Sequence, residues 1–141
     1  MRIVPSTEEH IQWILGKVNC HRVEGGKGIS AVSDTGKLLC CCLMDSWTEG
    51  SVQVHIAIDS PIGLRNYTFI REVFNYIFVT HGRRTALGFV SSDNKKAMVF
   101  DKRLGFKELA RIKDGARHGI DTVILELRRE ECKWINMKEA A

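Results

Sequence analysis

His55 is the first side chain along this chain with an evident chemical use. Val52, Val54, Ile56 and Ile58 alternate with Ser51, Gln53, His55 and Ala57, the period of a strand with two unlike faces. An imidazole takes up and releases protons near neutral pH, so His55, beside Gln53 on the polar face, is the candidate general base; the structural alternative is a histidine hydrogen-bonded across a sheet. Asp45 and Glu49 flank the turn into this strand and are alternative bases acting through water. Cys40, Cys41 and Cys42 adjoin, and neighbours in a strand point to opposite faces, so they cannot converge on one metal. With Cys20 and Cys132 far apart in sequence, no metal site is expected, and the cysteines read as small buried hydrophobes. Gly25-Gly26-Lys27-Gly28 lacks the Lys-Ser/Thr ending of a phosphate loop and reads as a flexible loop.

The elements that must carry these residues follow from periodicity. Ser6 and Glu9 have the spacing of a capping box, and Ile11, Ile14, Leu15 and Val18 continue at helical intervals. Residues 29–33 and 38–44 flank Asp34-Thr35-Gly36-Lys37 as a hairpin, and 52–58 extends it by one strand. After Ser60-Pro61-Ile62-Gly63, the spacing of Ile70, Val73, Phe74 and Ile77 predicts a helix to about Val79. Thr85 to Val90 is a short strand, and Ser92-Asp93-Asn94 offers N-cap oxygens to a helix carrying Ala97, Phe100 and Leu104, closed by Gly105. Residues 106–112 and 122–127 read as a terminal hairpin with a long loop. The order β-α-β-β-β-α-β-α-β-β, which begins with a short strand at Ile3 and Val4, predicts a mixed α/β fold: a central twisted sheet of about six to seven strands flanked by helices.

Composition sets the outer limits. Of 141 residues, 44% are apolar and 27% charged, with only 2 prolines, enough for one core over residues 1–141 and incompatible with a disordered chain. The longest apolar run, residues 38–44, is too short for a membrane span, and Met1 to Pro5 lacks the apolar stretch of a signal peptide. A cytoplasmic protein with reduced thiols is expected. The net charge of +4 comes from scattered pairs such as Arg83-Arg84 and Lys95-Lys96, which makes nucleic acid an improbable partner.

The segment Asn94-Lys95-Lys96-Ala97-Met98-Val99-Phe100-Asp101-Lys102-Arg103-Leu104-Gly105-Phe106 resembles the Asn-x-x-Ala and Leu-Gly-Phe signature of the GNAT N-acetyltransferases, on the helix after the fifth strand where that family has it. Residues 129–135 and 74–78 are similar to RimJ/RimL-type GNAT proteins often found in bacteriophage genomes. The resemblance implies acetyl transfer from acetyl-CoA to an amine-bearing small molecule or protein, with the fourth and fifth strands splayed around the pantetheine. It assigns cofactor binding to Ile56 and Ile58 on the strand, to the helix start Ile62, Gly63, Leu64, Arg65 and Asn66, and to Asn94, Ala97 and Arg103. Unpaired N–H groups at a helix start suit a diphosphate, and Arg65 adds a charge-assisted contact.

The sequence departs from that family twice. The usual glycine-rich loop is reduced to Gly63 among bulky residues, and where many members have a tyrosine that protonates the leaving thiolate, this chain has Asp101. An ionised carboxylate cannot donate, so beside Lys102 and Arg103 it reads as a surface ion-pair partner. These departures support a second reading, a catalytically silent module that binds a protein, with or without CoA. The apolar tail Cys132-Lys133-Trp134-Ile135 is a candidate contact for a homodimer.

Overall fold

The computed structural model describes residues 1–135. Its strands are β1 (Arg2–Pro5), β2 (Lys27–Val32), β3 (Leu38–Asp45), β4 (Ser51–Ile58), β5 (Thr85–Ser91), β6 (Lys107–Arg117) and β7 (Ile120–Arg128), and its helices α1 (Glu8–Val18), α2 (Thr68–Asn75) and α3 (Lys95–Leu104). The seven strands form one sheet in the order β1-β2-β3-β4-β5-β7-β6. Every neighbouring pair is antiparallel except β4 and β5, which run parallel and are joined by the crossover that contains α2, as parallel strands require. The mixed sheet and the element order are those the periodicity predicts.

Strand alternation divides the interior into two layers. Cys41 and Leu43 of β3 meet Ile14 of α1 on one face. Cys40, Cys42 and Met44 point the other way, into a larger core with Phe69, Ile70, Val73 and Phe74 of α2 and Met98 and Leu104 of α3. The adjoining cysteines are therefore fully buried apolar residues divided between the two faces, and burial holds their thiols above the usual range, Cys40 at about 12. Thiols so far from ionisation are poor nucleophiles. Among the described residues no helix is long and apolar enough to cross a membrane.

Local chemistry departs from the sequence expectations at four places. Thr7, not Ser6, caps α1: its side chain accepts from the His10 N–H while His10 Nδ1 accepts from the Thr7 N–H. Ser6 is committed elsewhere, its hydroxyl 2.7 Å from that of Ser30 and its N–H on Gly28 O, tying β1 to β2. The expected long loop of the terminal hairpin is instead strand: β6 and β7 extend to a tight turn at His118-Gly119, the extra residues being absorbed as irregularities in register between Ile112 and Arg117. Trp134 and Ile135 pack partly buried on their own core, with Trp134 Nε1 donating to Leu104 O at 2.8 Å, so these residues of the tail contribute to the chain's own fold.

The fourth difference is the segment after β4. Residues Pro61–Tyr67 form a 3-10 turn broken at Arg65 and Asn66, and Asn66 and Tyr67 both take positive φ before α2 begins. Gly63 is buried against β3, where an added Cβ would lie 2.1 Å from Cys40 Sγ and 3.1 Å from Leu39 Cβ. The glycine is needed for close packing of this turn on the sheet. Gly63→Ala is expected to destabilise the fold by about 1–3 kcal/mol, the cost of overpacking, read as a lower urea midpoint with an unchanged m-value.

Candidate active site

The β4–β5 ladder is short. Ser51, Val52 and Gln53 pair with Thr85, Ala86 and Leu87, yet β4 continues to Ile58 and β5 to Ser91 without pairing to each other. Beyond Gln53 and Leu87 the strands separate, and a cleft of about 700 Å³ opens between them, within the size range of small-molecule sites. The register also shows what faces the gap. Asp59 N–H donates to Leu39 O, which puts the odd-numbered residues of β4 in hydrogen-bonded sites with β3 and turns the main-chain groups of Val54, Ile56 and Ile58 towards β5. The Ile56 N–H thus points into the opening, past the end of the ladder.

His55 lines the cleft on the α1 face. Its Nε2 lies 3.1 Å from Oδ2 of Asp45, the diagonal neighbour on β3, since Asp45 stands opposite Gln53 and Leu43 opposite His55. Asp45 is 2% exposed and His55 15%, so this pair is held out of water. An ionised Asp45 accepts only, which assigns the proton to Nε2 and leaves Nδ1 as the basic nitrogen. Asp45 is therefore not placed to act as a base through water; it orients the histidine. Glu49 sits on the exposed turn before β4 and does not line the cleft.

On the opposite face α3 supplies Asn94, Ala97, Phe100 and Asp101 to the same cleft. Asn94 caps α3, its Oδ1 accepting from the Ala97 N–H at 3.2 Å. Asp101 corrects the surface expectation. Its carboxyl faces inward over β5, Oδ2 lying 3.8 Å from where a Cβ on Gly88 would stand, and burial raises its pKa to about 7. Desolvation disfavours the charged form, and no neighbouring cation offsets it. The inward direction is legible in the spacing: Ala97, Asp101 and Leu104 lie at i, i+4 and i+7 on one helical face, although the adjacent Lys102 and Arg103 suggest the opposite.

The remaining expected residues are dispersed. Ile56, Asn94 and Ala97 line the cleft, whereas Ile58, Ile62, Gly63, Leu64, Arg65, Asn66 and Arg103 do not. Ile58 and Leu64 pack partly buried on the core. Ile62, Arg65 and Asn66 are exposed on the turn before α2, and Arg103 is exposed on α3. The first turn of α2 has no side-chain cap. Among the described residues no three His, Cys, Asp or Glu side chains converge as a metal site would need. Among the cleft residues that escaped the sequence reading are Gly88, Phe89, Lys17 and Arg117; a glycine within an apolar strand was the available sign of close approach at Gly88.

No protein-family model matches the sequence, and no curated protein matches it. Solved structures do share the fold. A mutant form of the spermidine/spermine N-acetyltransferase of Vibrio cholerae superposes with a TM-score of 0.71 at 12% identity, covering 92% of this chain and 95% of that one. A candidate GNAT-family acetyltransferase from Desulfovibrio desulfuricans gives 0.62 at 24% identity over 74% of this chain and 69% of that one. A candidate phosphinothricin N-acetyltransferase gives 0.68 at 13% identity, covering 90% and 97%. At these identities the likeness establishes a common fold, that of N-acetyltransferases.

Proposed function

We propose that this chain is an N-acyltransferase that passes an acetyl group from acetyl-CoA directly to an amine. The observation that carries the reading is the opened β4–β5 gap, where the ladder ends at Gln53 and Leu87 and the cleft has His55 on one face and the half-buried carboxyl group of Asp101 on the other. The pantetheine arm lies between the strands, against Ile56, Asn94 and Ala97. The diphosphate end is assigned to the uncapped start of α2 with Arg65 and Asn66, while Gly63, packed on β3, shapes that turn from beneath. Ile58, Ile62 and Leu64 support the same end, and Arg103 stands apart from it.

The reaction then divides among the chain's own groups. The amine nitrogen bonds to the thioester carbonyl carbon as His55 Nδ1 takes the proton that nitrogen loses, and Asp45 stabilises the imidazolium through Nε2–H. The Ile56 N–H polarises the carbonyl oxygen. As the carbon–sulfur bond breaks, Asp101 in its protonated form gives its proton to the leaving sulfur, which releases the thiol; His55 passes its proton to solvent and Asp101 takes one back. An aspartic acid with a pKa near 7 serves this step where an ordinary, ionised aspartate would not. No observation favours the catalytically silent module over this reading. All five cysteines are free, which supports a reducing cytoplasmic home, and a finer relation to RimJ/RimL-type phage proteins rests on residues 74–78 and 129–135 alone.

Calorimetric titration with acetyl-CoA is expected to show saturable binding; absence of heat and of thermal shift at millimolar concentration would sink the enzyme reading. His55→Ala and Asp45→Asn are each expected to lower kcat by about 10²–10⁴-fold with little change in KM for acetyl-CoA, measured by thiol release. Asp101 must hold its proton to act, so its contribution to kcat is expected to fall as pH rises through about 7, a limb that Asp101→Asn removes together with most of the rate. Stability gives an independent check. Between pH 4 and 7 the folded chain keeps a proton on Asp101 that the unfolded chain has released, so wild-type stability declines across that window. Asp101→Asn is expected to be the more stable protein at pH 8, by up to about 4 kcal/mol, with the advantage vanishing towards pH 4.

A further inference from the structure

The face of the sheet that carries His55 is covered unevenly. α1 lies over β3 and β4, and Ile14, Leu15 and Val18 seal that half. Among the described residues no helix covers the half formed by β5 and β7, where Leu87 and Ile124 are half-buried and Phe89 is 43% exposed. Phe89 has a defined place with respect to the candidate base. Gln53 pairs with Leu87, so two residues further along each strand His55 and Phe89 occupy matching positions on the same face, one on each side of the gap. Phe89 and Val18 both line the cleft. A large aromatic surface left uncovered beside a polar site is a feature of ligand recognition rather than of packing.

Charge on this side narrows the ligand. The carboxylates near the gap are already committed: Asp45 to His55, Asp93 to Arg117, and Glu126 to the Thr85 hydroxyl and to Arg128. Lys17 stands at the mouth. Asp101 lies on the α3 side, where burial favours its neutral form. Among the described residues that line the cleft, a ligand with several ammonium groups would find no unpaired carboxylate on the His55 side and would meet Lys17, an arrangement that disfavours polycations.

Resting on the acyltransfer reading, we infer that the acceptor is a monoamine with an apolar, ring-sized body, its nitrogen at His55 and its body across Phe89 and Val18, and that polyamines are poor acceptors. The reaction is unchanged in its atom balance; the inference names what brings the nitrogen to the carbonyl. The test compares 2-phenylethylamine, ethylamine and spermidine as acceptors by thiol release from acetyl-CoA, with calorimetry for acetyl-CoA binding and light scattering for oligomeric state. Wild type is expected to use 2-phenylethylamine at least about tenfold better than ethylamine in kcat/KM, the discrimination an apolar contact supplies, and better than spermidine. Phe89→Ala is expected to erase the preference for the ring while leaving KM for acetyl-CoA unchanged, and Phe89→Leu to retain part of it. Bound acetyl-CoA with spermidine preferred, with no turnover of any amine, or with a ring preference that survives Phe89→Ala overturns this inference and leaves the binding part of the broader reading intact. Loss of a dimer in Phe89→Ala without change in the amine ratio assigns the surface to a second copy and overturns it as well. Failure to bind acetyl-CoA at all overturns both.

Discussion

Main-chain pairing between β4 and β5 is the constraint from which the rest of the site follows. A sheet normally satisfies each N–H and C=O against its neighbour, and an unpaired buried group costs the free energy of a lost hydrogen bond. Here the parallel ladder holds for three pairs and then stops while both strands continue. The flanking structure keeps the strands straight and apart: β4 remains fully paired with β3 along Gln53 to Ile58, and β5 with β7 along Thr85 to Ser91. Each strand is secured on its outer edge, so the inner edges need not meet. The gap is thus a property of a well-paired sheet rather than of a frayed one, and its unpaired main-chain groups are available to a ligand.

A gap through a sheet opens on both faces, and this chain furnishes the two sides differently. On one side a hydrogen-bond partner meets the buried carboxylate: Asp45 is almost wholly out of water, with its Oδ2 3.1 Å from His55 Nε2. On the other, nothing offsets burial, and Asp101 responds by holding its proton to higher pH. In the proposed reaction two carboxylates of the same type thus take different parts, one accepting from His55 and one supplying a proton.

The position of Asp101 is secured at a distance from the cleft. Gly105 ends α3 with φ of 113° and returns main-chain bonds to Asp101 O and Lys102 O, and Trp134 closes the end of the helix through its bond to Leu104 O while packing in a tilted arrangement against Tyr67, with ring centroids 4.9 Å apart. The tail, the turn before α2 and the end of α3 form one contact. Residues that look like an interaction surface in the sequence thus also hold the end of the helix that carries Asp101.

Periodicity and turn chemistry in the sequence were sufficient for the element order, the mixed sheet and two of the three caps, because those depend on residues within a turn or two of one another; the shift of the α1 cap from Ser6 to Thr7 came from a bond to Ser30 on another strand. His55 was visible as the odd polar residue in an alternating strand, and Asn94, Ala97 and Ile56 by family likeness. The partnership of His55 with Asp45, the inward turn of Asp101, the dispersal of residues 62–66 away from the cleft and the exposure of Phe89 were decided only by the folded structure. Each depends on register between strands or on what covers a face, and both are set by contacts between segments far apart in sequence. Alternation tells which residues share a face of a strand; only the assembled sheet decides which faces are covered, which edges pair, and therefore which side chains are left to meet a substrate.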